Sequence, residues 1–241
     1  MASTLLIGST GLVGSHTLTT LLASDAANSI YTISRREPKP TSPKLHAIVE
    51  ADTTQWVSKL TGITPTPTTV ISSLGTTRVA AGGIANQWKI DHDLNVELAR
   101  AAKQAGVRHF VFISSAGTRG MLSNRVPYSQ MKRGVEDTVK ELDFETAIIV
   151  RPGMILGQRE VPQPGGDLFA GIVKGLGRVF GQKAQDMIGQ EAEVIARAAV
   201  QAARIAEEGK APEKYWVLEQ SDIVRLGRTE WKSEGGQKEA L

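Results

Sequence analysis

Apolar residues in this chain fall into short runs separated by stretches of helical spacing. Residues 4–7 form an apolar run that stops at Gly8, the pattern of a buried strand. Leu18, Leu21 and Leu22 follow at helical spacing within 12–22. The alternation continues with strands predicted at 30–34, 46–50, 69–74, 107–114 and 144–150. Between them the spacing predicts helices over 85–105, closed by Gly106, and over 127–142, with Pro127 in the first turn. Prolines mark loops at 37–44 and 65–67. Beyond Pro152-Gly153 the pattern predicts helices near 167–180 and 191–208 and a short strand at 215–218. Such strand–helix alternation predicts an α/β fold: a Rossmann-type, doubly wound parallel sheet with ligands at the carboxyl ends of its strands. At 241 residues the chain is expected to form one domain. Within it, 153–211 reads as a small substrate or cap segment and 229–241 as a flexible tail.

Composition narrows the chemistry. Hydrophobic content of 41% and charged content of 22% suit a globular fold, and no run of 18 apolar residues is present. The chain has no cysteine, which excludes disulfides and thiolate metal sites. His16, His46, His92 and His109 lack metal-ligand spacing, so no metal is expected. Net charge is +3 without a dense Lys/Arg run, and no nucleic-acid partner is expected. Residues 1–36 are rich in Ser and Thr, contain Asp25 as their one acid and end in Arg35-Arg36, a composition resembling a mitochondrial transit peptide. Cleavage there would remove the first strand and the turn after it, so the segment is read as fold.

That turn carries the first chemical signal. Gly8, Ser9, Thr10, Gly11, Leu12, Val13 and Gly14 place three glycines at a three-residue spacing between a strand and a helix. Gly8 suits the sharp turn, Gly11 lets a pyrophosphate approach the backbone, and Gly14 lets helix and strand pack closely. Helix N-terminal amides, with Ser9 and Thr10 hydroxyls beside them, face the phosphate charge. A ligand-free glycine turn is the alternative. At the end of the second strand a dinucleotide site for NAD carries an acid, whereas this chain has Arg35 and Arg36, suited to a 2′-phosphate; the expected cofactor is NADP(H). Asp52 is placed to accept from the adenine amino group or to act as a turn cap. Leu74 and Gly75 offer backbone to the cofactor at the end of the fourth strand.

The second signal is Tyr128 and Lys132, four apart on one helical face. A nearby ammonium lowers a phenol's pKa, so Tyr128 can exchange a proton with a substrate oxygen. Lys132 can also hold the nicotinamide ribose, and Ser115, with Ser114 as the alternative, can hold the substrate oxygen. A lysine four after a tyrosine arises by chance about once in fifteen to twenty; the weight comes from the order glycine loop, Ser114-Ser115, Tyr128/Lys132, then Arg151-Pro152-Gly153.

In that order the chain resembles the short-chain dehydrogenase/reductase superfamily, in its atypical branch. Leu74-Gly75-Thr76-Thr77-Arg78, Ile90-Asp91-His92-Asp93, Ser114–Gly117 and Arg151–Gly153 resemble the Tat-interacting oxidoreductase family, nearest its fungal members found in the mitochondrial proteome. The resemblance implies NADPH binding and a catalytic Ser115, Tyr128 and Lys132. It also implies peripheral residence on the cytosolic face of the mitochondrial outer membrane, with the cytoplasm as the alternative. One departure stands out: many superfamily enzymes use an Asn to support a relay water, and by offset from Gly106 this chain has Asp91.

Residues 167–180 set Leu168, Phe169, Ile172, Val173, Leu176, Val179 and Phe180 opposite Asp167, Lys174 and Arg178. They read as a helix packed on the substrate side, or as a lid, protein-binding or membrane-surface helix. The expected function is an NADPH-dependent oxidoreductase acting on a small carbonyl compound. The alternatives are a catalytically weak NADP(H)-binding regulator and, ranked last, a sugar-nucleotide epimerase or dehydratase.

Overall fold

The computed structural model describes residues 3–24, 27–120, 123–157 and 189–232. Seven strands form one sheet: β1 (Ser3–Ile7), β2 (Ser29–Ser34), β3 (Leu45–Val49), β4 (Thr69–Ser72), β5 (His109–Ile113), β6 (Thr146–Val150) and the last strand, Tyr215–Leu218. Every pairing is parallel, in the order β3-β2-β1-β4-β5-β6 with the last strand outermost. The chain therefore winds outward from β1 in both directions, and a crevice opens where the direction reverses, between β1 and β4. Strand boundaries lie within two residues of those expected, and β9, as we number the last strand, has the expected limits.

Side chains alternate across the sheet and feed two cores. Leu6, Ile71, Val111, Ile148 and Val150 face one side, where they pack with α1 (Leu12–Ala23) and α6 (Ala192–Glu207). Leu5, Ile7, Val70, Phe110, Phe112 and Ile149 face the other, against α2 (Trp56–Thr61), α4 (Asn95–Gln104) and α5 (Pro127–Glu141). Both faces are covered, which is why central strands read as unbroken apolar runs.

Three elements differ from expectation. The helix expected over 85–105 is helical throughout but uneven: α3 (Ile84–Trp88), a π-helical turn (Lys89–Leu94) and α4. The segment expected as a cap over 153–211 contains α6, whose Ala196, Ala198, Ala199, Ala202 and Ala203 are buried in the core. Its small side chains allow close packing against α1, so α6 belongs to the domain's core rather than to a cap, while 158–188 lie outside the described residues. A small second sheet, β7 (Met154–Leu156) with β8 (Gly189–Glu191), flanks it. Lastly, Trp231, placed in the expected tail, is half-buried and packs against the same core, while 233–241 and the expected helix at 167–180 lie outside the described residues.

Because Ala199 has no exposed surface, Ala199→Leu is expected to overpack α6 and lower stability by about 1–3 kcal/mol, read as a fall in the urea midpoint at unchanged m-value.

Candidate functional site

The crevice between β1 and β4 holds a cavity of about 360 Å³. Its walls come from the glycine loop (Gly11, Leu12, Val13), the residues after β4 (Ser73 to Arg78), the end of β5 (Ile113, Ser114), and α3 and α5 (Gln87, Tyr128, Lys132).

The three loop glycines have different reasons to be glycine. Gly8 has φ +84°, a left-handed conformation that penalises a side chain. A Cβ on Gly14 would lie 2.0 Å from the Gly8 carbonyl oxygen, so Gly14 is fixed by packing. Gly11 is constrained by neither: its φ is −81°, and a Cβ there would meet only the Gly8 oxygen at 3.4 Å. Gly75 is similar, since a Cβ would meet only Asp91 and Lys132 at 3.5 and 3.8 Å. Gly11 and Gly75 are exposed and line the same cavity. The fold does not require glycine at either position, and the bare backbone leaves room for a group outside the chain. The first backbone bond of α1 runs from Ser15 N–H to the Gly11 carbonyl, which leaves the Leu12, Val13 and Gly14 amides without helical acceptors. Ser9 is buried beside them, and its hydroxyl has no hydrogen-bond partner among the described residues. Open amides at a helix N-terminus, an orphaned hydroxyl and a bare Gly11 fit a dinucleotide pyrophosphate.

Two helices present buried polar residues at four-residue intervals: Gln87, Asp91 and Asn95 on the α3–α4 run, Lys132 and Glu136 on α5. Lys132 donates to the Ile113 carbonyl at 3.0 Å and sits 4.7 Å over the Phe112 ring. Burial pushes its pKa down; Asp91 and Glu136 pull it back up. Asp91 is itself pushed above the usual carboxylate range by burial, against the opposing pull of Lys132. Both Asp91 oxygens are engaged, Oδ1 by the Thr76 amide at 2.6 Å and Oδ2 by Gln87 Nε2 at 3.0 Å. The π-helical turn releases carbonyls from the regular ladder, and Asn95 Nδ2 donates to that of Ile90 at 3.0 Å while Ser72 donates to its Oδ1 at 2.7 Å.

Tyr128, one turn before Lys132, is 37% exposed at the cavity wall. The serines divide differently from expectation. Ser114 lines the cavity, but its hydroxyl donates to buried Glu136 at 2.6 Å. Ser115 is half-buried, is not among the lining residues, and donates to the Ala116 carbonyl at 3.3 Å. Successive residues leaving a strand point to opposite sides, and it is Ser114 that turns toward α5. Arg35 and Arg36 follow β2 directly, are exposed, and have no acidic partner among the described residues. Asp52 caps the turn Thr53–Gln55, accepting from the Thr54 amide at 3.0 Å and hydroxyl at 2.7 Å, which hold its pKa low. Leu74 is buried at the back of the cavity.

Glu136 is the buried site residue that the sequence reading missed. Fully buried, it also takes Arg151 Nη2 at 2.7 Å and Arg119 Nε at 3.2 Å. It thereby ties the β5 end to the Arg151-Pro152-Gly153 turn, and it raises the Arg151 pKa. The available signal was spacing: Tyr128, Lys132 and Glu136 form one ladder at steps of four.

Residues 4–176 match the NAD dependent epimerase/dehydratase family. The chain is 68% identical over 232 residues to "Protein FMP52, mitochondrial" of Chaetomium globosum, covering 96% of this chain and 100% of that protein. Among solved structures, MoeE5 in complex with UDP-glucose and NAD is similar with a TM-score of 0.63 at 17% identity, covering 94% of this chain and 81% of that one. A short chain dehydrogenase/reductase from Saccharomyces cerevisiae is similar with a TM-score of 0.64 at 17% identity, covering 94% and 99%. At these identities the two structures bear on the fold alone.

The contrast between glycines is testable. Gly11→Ala is expected to change stability by less than about 1 kcal/mol while cutting dinucleotide affinity at least about tenfold, about 1.4 kcal/mol. Gly14→Ala is expected to cost about 1–3 kcal/mol or more through overpacking. Titration calorimetry and urea melts separate them, and equal stability losses would remove the argument. Asp91→Asn withdraws a charge that raises the Lys132 pKa. The ammonium is then lost at lower pH than in the parent, a shift read by ¹⁵N NMR of Lys132 Nζ; an upward shift contradicts the assignment.

Proposed function

The chain belongs to the NAD dependent epimerase/dehydratase family, and from that premise we infer that it is an NADP(H)-dependent oxidoreductase acting on a small carbonyl compound. The observation that carries the reading is the pair of bare glycines, Gly11 and Gly75, on the cavity that also takes Tyr128 and Lys132. The Leu12–Gly14 amides and Ser9 hydroxyl receive the pyrophosphate, with Thr10 beside them. Arg35 and Arg36, both without acidic partners among the described residues, receive the 2′-phosphate through charge-assisted hydrogen bonds. Asp52 takes the adenine edge, and Leu74 and Gly75 offer backbone to the ribose side.

The cofactor, when bound, supplies the hydride. Tyr128 gives a proton to the substrate oxygen as general acid. Lys132 keeps a positive charge one helical turn away, which favours the phenolate left behind, and it holds the nicotinamide ribose. By resemblance Ser115 orients the substrate oxygen, a role that requires it to turn into the cavity that Ser114 lines; its 3.3 Å bond to the Ala116 carbonyl is long and readily exchanged.

A second reading has its own support. The Ser114 hydroxyl and both Asp91 oxygens are engaged within the protein, an arrangement suited to a binding protein that senses NADP(H) occupancy with weak turnover. The curated relatives carry the word mitochondrial in their names. In this reading the chain attaches peripherally to the outer membrane or to a protein there through residues 167–180, which lie outside the described residues; no helix among the described residues is long and apolar enough to cross a membrane.

Tyr128→Phe is expected to lower turnover of a carbonyl panel with NADPH at least about 100-fold with NADPH affinity preserved. Unchanged turnover sinks the mechanism, and absence of turnover in the parent with tight NADPH binding favours the sensing reading. Arg35→Ala with Arg36→Ala is expected to weaken NADPH about tenfold or more and to spare NADH; equal losses for both cofactors refute the NADP(H) assignment.

A further inference from the structure

Arg78 has no role in the reading so far, although it lines the same cavity. It stands three residues beyond Gly75, is exposed, and has no ion-pair partner among the described residues. An arginine on a wandering loop would mean little, but this loop is fixed at both sides. The Thr76 amide donates to buried Asp91, and Gln87 donates to the Thr76 carbonyl at 3.3 Å. The Arg78 carbonyl accepts from Gly83 N–H at 2.9 Å, at the N-cap of α3. A turn between them is closed by Ala81 N–H to the Thr77 carbonyl at 2.8 Å.

The other cation of the cavity is Lys132, which is buried and bonded to the Ile113 carbonyl. Among the described lining residues, Arg78 is thus the one cation with no partner and none is a carboxylate; buried Asp91 lies behind Gly75. The pyrophosphate charge is met elsewhere, at the α1 N-terminus. A single guanidinium matches a monoanion best, and its planar fork fits a carboxylate with two parallel hydrogen bonds.

We propose that Arg78 selects substrates, so that the compound reduced in this site is a carbonyl compound bearing a carboxylate. The proposal rests on the oxidoreductase reading and names the substrate class for it.

The test uses the full chain loaded with NADP⁺, which cannot reduce an aldehyde, and two probes of like shape: 4-carboxybenzaldehyde and its neutral methyl ester. Affinities are read by ligand-observed NMR titration. The carboxylate is expected to bind at least about tenfold tighter, with the preference falling with added salt. Arg78→Ala should abolish the preference, Arg78→Lys should restore part of it, and Arg78→Glu should reverse it. Equal binding of the two probes, binding of neither, or a preference that survives Arg78→Ala overturns the proposal while leaving the cofactor reading intact. If Arg78→Ala instead weakens NADP⁺ as much as the carboxylate probe, Arg78 serves the pyrophosphate and the proposal fails. Failure of the parent chain to bind NADP⁺ defeats the oxidoreductase reading itself, and this proposal with it.

Discussion

An ammonium group removed from water is the constraint around which this site is arranged. Lys132 is 4% exposed, and a charge in that position is tolerated only where carbonyls, aromatic faces and opposite charges replace its hydration. The chain supplies all three from separate elements: the Ile113 carbonyl and Phe112 ring from β5, Asp91 from the π-helical turn, and Glu136 from the next turn of α5. Each compensating group needs compensation in turn. Asp91 is satisfied by Thr76 and Gln87, Glu136 by Ser114, Arg119 and Arg151. The result is a continuous polar seam that joins the ends of β4, β5 and β6 across their carboxyl edge. Disturbing one member leaves another buried and unpaired, so the loops it fixes are held more firmly than their exposure suggests.

The opposite wall of the crevice depends on backbone rather than charge. The glycine loop turns sharply at Gly8 and packs against itself at Gly14, which aims the α1 amides into the crevice. The sheet's reversal of direction between β1 and β4 brings this wall to face the seam. One wall offers donors for phosphate; the other offers a phenol beside a cation.

Legibility from sequence followed the same division. Features set by backbone sterics or by period were readable: the glycine loop, the parallel sheet, and Tyr128 and Lys132 on one face. Features set by tertiary partners were not. Whether Ser114 or Ser115 turns toward α5 depends on where the strand ends, and the expected strand ran one residue past Ile113. The π-helical turn at Lys89–Leu94 leaves no mark in a 3.6-residue pattern, yet it sets the position of Asp91. Alanines in α6 read as neutral along the chain, and only packing against α1 shows them to be core. Glu136 looked like an ordinary helical acid because its arginine partners lie 17 residues before and 15 after it.

Asp91 illustrates how structure changes the meaning of a substitution. The resemblance leads one to expect an amide here, so this chain's carboxylate reads from sequence as a defect in proton supply. In the folded protein both of its oxygens are already bound, one by the loop that leads to Arg78 and one by Gln87. A carboxylate accepts at both oxygens, whereas an amide would present a donor to one of these two N–H groups. Asp91 therefore suits the task of fastening the loop after β4 and sustaining the charge of Lys132, and an amide does not. In the proposed mechanism the proton of Tyr128 need not pass along that route, since Tyr128 is exposed at the cavity wall. Asp91 thus couples the loop after β4 to the cation one helical turn from the phenol.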